Sequence, residues 1–184
     1  MSDQKIIESY SRLKNLKLVG EETGIAWQKV YLRLRANNIP VTGDKGRYGS
    51  NKDRFAAKAE AEFQKLVPSA SNSNKVKFQA ATDFTVGSLT VDVKASTLHR
   101  QIKERPARRW AFSVKKQEFI ADFVVLFAFL DDGSYRLILV PGEMIRTYQS
   151  LSIGERWTGK WADYEIAKDD LLAFFTDLSD EKAA

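Results

Sequence analysis

Residues Asp122–Leu130, DFVVLFAFL, are almost continuously apolar over the length of one strand. A strand without polar alternation has no face to give to water, so it belongs in the middle of a sheet covered on both sides. That requirement points to a layered α/β domain. The sequence Asp131-Asp132-Gly133-Ser134 supplies a turn, where aspartate is favoured for bonds to its own backbone, and Tyr135–Val140 returns as the next strand. The apolar run is far too short to cross a bilayer, and no longer one exists, so no membrane partner is expected.

A second stretch, Thr82–Ser96 (TDFTVGSLTVDVKAS), reads as a β-hairpin. Asp83-Phe84-Thr85-Val86 forms one strand, Gly87-Ser88 the turn and Leu89–Ala95 the next strand. Alternation sends Leu89, Val91, Val93 and Ala95 to one face and Thr90, Asp92, Lys94 and Ser96 to the other. Asp92 and Lys94 therefore share a face, about 6.6 Å apart along the strand. Asp83, on the partner strand, lies close enough to share a divalent cation with Asp92. Two carboxylates and an ammonium on one sheet face suit metal-assisted cleavage of a phosphodiester.

With these residues the chain resembles the PD-(D/E)XK nuclease superfamily, the fold of many restriction enzymes and Holliday-junction resolvases. Asp83 matches the first acid of that signature and Asp92-Val93-Lys94 its D-x-K half, while Thr82 stands where the family name has proline. The resemblance covers Asn51 to Pro141. It implies an α/β core, a mixed central β-sheet flanked by helices, and Mg²⁺-dependent hydrolysis of DNA in which Mn²⁺ can substitute. The catalytic set it implies is Asp83, Asp92, Lys94 and a glutamate from the preceding helix. Metal ligands would be Asp83, Asp92, the carbonyl of Val93 and that glutamate, with Lys94 orienting the attacking hydroxide or stabilising the transition state. Ala59-Glu60-Ala61-Glu62-Phe63 offers two candidates for the glutamate; the spacing to Phe63 and Val67 favours Glu60 and leaves Glu62 open. That helix spans Asn51–Val67, capped by Ser50 or Asn51 and stopped by Pro68, with Phe55, Ala56, Ala59, Phe63, Leu66 and Val67 on its buried face.

Residues 1–41 read as a small helical unit of helix-turn-helix type. Ile6, Ile7, Tyr10, Leu13 and Leu16 recur at helical spacing. A short helix ends at Gly24, and Ala26–Asn37 forms a second, the recognition helix, before Pro40. Ile25, Val30, Leu32 and Leu34 are its expected apolar anchors. Trp27, Gln28 and Tyr31 are candidates for base edges, and Lys29, Arg33 and Arg35 for phosphates. A basic, glycine-rich linker over 42–52 follows, in which Lys45 and Arg47 can track a DNA backbone. The nuclease core occupies 53–184.

Charge distribution supports a nucleic-acid partner. The net charge is +5, and from Lys94 to Lys116 there are eight Lys or Arg against one acid, Glu104. Within that stretch Thr97–Arg109, broken by Pro106, reads as an irregular loop whose Arg100, Lys103, Arg105, Arg108 and Arg109 form a positive rim for double-stranded DNA. From Asp163 to Glu181, by contrast, seven acids face one lysine. With no cysteine, disulfides and thiolate zinc sites are excluded; with one histidine, His99, neither a histidine-rich metal site nor a serine-protease-like triad is expected, and a cytoplasmic protein is expected. The remaining elements are short strands at Val76–Gln79 and Trp110–Val114, a helix start at Pro141–Tyr148 and a terminal helix at Lys168–Leu178. Trp157 and Trp161 are expected to close the far edge of the core. A recognition helix joined to a cutting core implies a site-specific endonuclease, and cutting both strands implies a homodimer.

Overall fold

The computed structural model describes residues 2–41, 49–76, 80–100, 107–114 and 121–181. It divides into two compact units, Met1–Arg54 with Ser73–Ala80, and Phe55–Asn72 with Ala81–Ala184. Among the described residues no helix is long and apolar enough to cross a membrane.

The first unit is built on α1 (Asp3–Leu13), α2 (Leu16–Thr23) and α3 (Trp27–Ala36). Apolar residues three and four apart meet in its centre, where Ile6, Tyr10, Val19, Val30 and Leu34 are fully buried. Asn15 caps α2, its side chain accepting from the N–H groups of Lys17 and Leu18 at 3.0 and 3.2 Å. Helix α2 stops at Gly24, whose φ of 68° is left-handed. Chain reversal into α3 is tight: a Cβ on Gly20 would lie 2.7 Å from the carbonyl oxygen of Ile25. Glu22 joins α2 to α1, accepting from the Ser9 hydroxyl at 2.9 Å and from Arg12 at 2.6 Å. These bonds hold its carboxyl below the usual glutamate range. Leu32, expected as an anchor, is instead 63% exposed. At 100° per residue, Val30 and Leu34 share the inner side of α3, and the residue midway between them must point away.

In the second unit a six-stranded sheet has the order β1 (Ser71–Asn72), β2 (Phe84–Val86), β3 (Leu89–Thr97), β6 (Phe123–Phe129), β7 (Tyr135–Pro141), β9 (Glu165–Ile166). All neighbours are antiparallel except β3 and β6, which run parallel with Asp92 opposite Val124 and Lys94 opposite Leu126. Strand β6 is central, as its apolar run requires. Its Val125, Phe127 and Phe129 join one core cluster, and Val124, Leu126 and Ala128 the other. The first cluster is covered by α4 (Asn51–Leu66), through Ala59 and Phe63, and by the terminal helix Lys168–Glu181, through Leu171 and Phe175. The start of α4 is fixed by reciprocal bonds, Ser50 N–H to Asp53 at 2.9 Å and Asp53 N–H to the Ser50 hydroxyl at 3.3 Å.

The architecture is therefore α/β, a mixed sheet with flanking helices. Its second face differs from expectation in being closed chiefly by a small sheet, β4 (His99–Arg100), β5 (Arg108–Ser113) and β8 (Ser150–Gly154). Alternation along β5 and β8 turns Trp110, Phe112, Leu151 and Ile153 inward. The Trp110 indole N–H donates to the Phe129 carbonyl at 2.7 Å. Trp161 is buried in the same cluster and Trp157 packs edge-on against Trp110 at 5.2 Å, so both tryptophans do close the core.

Two elements differ from the sequence reading. In place of a strand starting at Val76, Ser73–Val76 is one helical turn, and the strand is Ser71–Asn72, paired with Thr85 and Phe84; residues 77–79 lie outside those described. Nor is Thr97–Arg109 wholly irregular, since His99 pairs with Arg109 and Arg100 with Arg108.

Candidate active site

The β2–β3 hairpin places Asp83, Asp92 and Lys94. Its turn at Gly87 has φ 59°, and pairing runs from Val86–Leu89 to Phe84–Val91, where it stops. Beyond that point Asp83 replaces the missing strand partner: the Val93 N–H donates to its Oδ2 at 2.9 Å. In an extended strand a residue's N–H and C=O leave on the same edge, so the Val93 carbonyl also faces the Asp83 side. Next to the hairpin's turn, Asp122 accepts from the N–H and hydroxyl of Thr90 at 2.7 and 2.8 Å and donates its own N–H to Thr90 Oγ1 at 3.0 Å. This clamp sets the β3–β6 register that brings Asp92 level with Val124. Gly142 reinforces the junction, since a Cβ there would lie 1.8 Å from the Ala121 carbonyl oxygen.

Asp92 is 6% exposed, and Lys94, on the same face, forms an ion pair with its Oδ2. The Lys94 ammonium is thus the charged partner of the buried Oδ2. Burial pushes the Asp92 carboxyl up to about 6, against the pull of Lys94 and with help from the nearby negative Asp83. A buried carboxylate beside a second carboxylate and an available carbonyl is a set of hard oxygen donors. It fits a small divalent cation that keeps part of its water shell.

The helix glutamate is not brought to this pair. Ala59 and Phe63 of α4 pack with Val91 and Val93, whereas Asp92 and Lys94 occupy the opposite face of β3. Glu62 accepts from Lys65 at 2.7 Å and from the Tyr135 hydroxyl at 3.4 Å, and the Lys65 bond holds its carboxyl below the usual range. Glu60 is half-buried on the same helix. Among the described residues no group of three or more His, Asp or Glu side chains is arranged to hold a metal.

The basic candidates fall in both units. On α3, Trp27, Gln28, Lys29 and Arg35 are exposed and Tyr31 is half-buried. Arg33 pairs with Asp3 at 3.3 Å, tying α3 to α1. Arg100 is exposed in β4, with Arg108 and Arg109 opposite in β5. Arg108 is committed to Asp131, at 2.5 Å, and to Glu155, and these partners strengthen its hold on its proton. The pairing of Asp131 with Arg108 was not legible in the turn sequence, whereas Asp132 does bond back to Ser134 N–H at 2.9 Å. His99 is exposed, its ring Nδ1 2.8 Å from the Thr97 carbonyl oxygen. Lys45, Arg47, Lys103 and Arg105 lie outside the described residues. No protein-family model matches this chain, and no curated protein matches it.

Proposed function

We propose that the chain is a Mg²⁺-dependent, site-specific DNA endonuclease, with a helix-turn-helix unit for recognition and a PD-(D/E)XK-like core for cleavage, acting as a homodimer. The observation that carries this reading is the convergence of Asp83, Asp92 and Lys94 at the end of the β2–β3 pairing, with the Asp92 carboxyl buried between Asp83 and the Lys94 ammonium. Asp83, Asp92 and the Val93 carbonyl would hold the cation. Such a cation, if held there, would supply an activated water and offset the charge of the scissile phosphate. Asp83 is fixed by the Val93 N–H, so its carboxylate needs little reorganisation to serve. Lys94 presents a partly exposed ammonium beside Asp92, placed to steady the attacking oxygen and the charge on phosphorus as the P–O bond to the leaving strand breaks.

The test is cleavage of supercoiled plasmid and of long phage or bacterial DNA with Mg²⁺, Mn²⁺ or EDTA, wild type against Asp92→Ala. Metal-dependent cutting that the variant lacks is expected, with discrete fragments. Equal cutting by the variant overturns the mechanism.

A second reading, a non-catalytic DNA-binding regulator on a nuclease-like core, is favoured by one observation. The acid pair gathers no third carboxylate among the described residues. Tight, salt-sensitive binding to one sequence with no cutting would decide for it.

A further inference from the structure

Helix α3 turns Val30 and Leu34 into its own unit and turns Gln28, Leu32 and Arg35, spaced i, i+4 and i+7, to the opposite side. Leu32 is the most exposed large apolar residue of the described chain, at 63%, and sits midway along α3 between Gln28 and Arg35, with exposed Ala36 one turn further on. Its company is charged in one sense: α3 carries Lys29, Arg33 and Arg35 and no acid. A helix-forming position in such a setting is served equally well by lysine or glutamine, so nothing in the helix itself calls for leucine. Among base edges in the major groove, the one apolar feature is the 5-methyl group of thymine. Gln28, one turn earlier, has the amide that pairs bidentately with adenine N6 and N7. Four residues of helix rise about 6 Å, close to two base steps of about 3.4 Å each.

We propose that Leu32 is a specificity-determining residue that reads a thymine methyl, with Gln28 on an adenine one or two steps away. The proposal rests on the DNA-reading role given to α3 above and deepens it, naming an A·T-containing duplex as the recognised class. A protein partner for Leu32 fits less well, because the surrounding cations would face a desolvation cost at an apolar protein interface that a phosphate-lined groove does not impose.

The experiment begins by selecting a preferred duplex from a randomised pool with the full chain in EDTA. Single thymines in that duplex are then replaced by deoxyuridine, which removes the 5-methyl alone. At one thymine or more, wild-type binding should weaken about fourfold, the loss of one buried methyl. Leu32→Ala should lose as much on the thymine duplex, and the two changes together no more than either, the signature of a direct contact. The substitution lies outside the buried set of the unit, and circular dichroism should be unchanged. If a sequence is selected but every deoxyuridine is tolerated, or the two losses add, the assignment of Leu32 fails while DNA recognition stands. If no sequence emerges, the DNA-reading role of α3 fails and takes this assignment with it. If Leu32→Ala changes the oligomeric state and not the DNA affinity, Leu32 is a protein contact.

Discussion

At the scale of single residues, Asp92 carries the sharpest consequences. Its folded-state pKa of about 6 lies above its unfolded value near 3.8, so the folded chain binds this proton more tightly. The resulting stabilisation is complete below about pH 4 and is lost as pH rises through about 6. Above that, the folded state bears an ionised, buried carboxylate at a cost on the order of 2–3 kcal/mol. In EDTA at pH 7.5, Asp92→Asn should therefore melt several degrees above wild type, and the gap should close toward pH 4; thermal scans across that range check both points. Lys94→Ala should lower the rate of DNA cleavage about 10²- to 10³-fold with DNA affinity retained, read by single-turnover kinetics beside a binding titration. Gly142→Ala forces a Cβ into the Ala121 carbonyl and should cost about 3 kcal/mol, measured by denaturant unfolding.

Among the elements, α3 invites a graded test. Replacing Lys29 or Arg35 by Ala should each flatten the salt dependence of DNA binding by about one unit of slope. Arg33→Ala should show less of that effect and a slight loss of stability, since its guanidinium is already engaged by Asp3. The elements also show what local sequence encodes. The β2–β3 hairpin, the apolar β6 and α4 were legible because each carries its period and its stop signals in its own residues. Period two sets Asp92 and Lys94 on one face whatever strand pairs with theirs. By contrast, Ser71–Asn72 is a strand because Thr85 and Phe84 pair with it, and two residues have no period to read. The face of the sheet that α4 would cover is likewise a tertiary choice. Its pattern marks Ala59 and Phe63 of α4 as buried, but Phe55, expected on the same face, is 40% exposed near the helix start, and the pattern leaves open that Glu60 and Glu62 ride opposite Asp92.

For the whole molecule, the proposed activity needs two active sites to cut both strands. A homodimer should sediment at twice the mass of one chain and should release linear plasmid with little nicked circle; a monomer would accumulate nicked circle first. The distribution of tryptophans gives a way to watch either event. Trp110 and Trp161 are buried in the second unit and Trp157 is packed against Trp110, while Trp27, at the head of α3, is 43% exposed. Emission from this chain thus has a red, iodide-accessible part from one helix and a blue, shielded part from one core. Occupancy of α3 and melting of the layered core are therefore separable by colour in a single unlabelled sample.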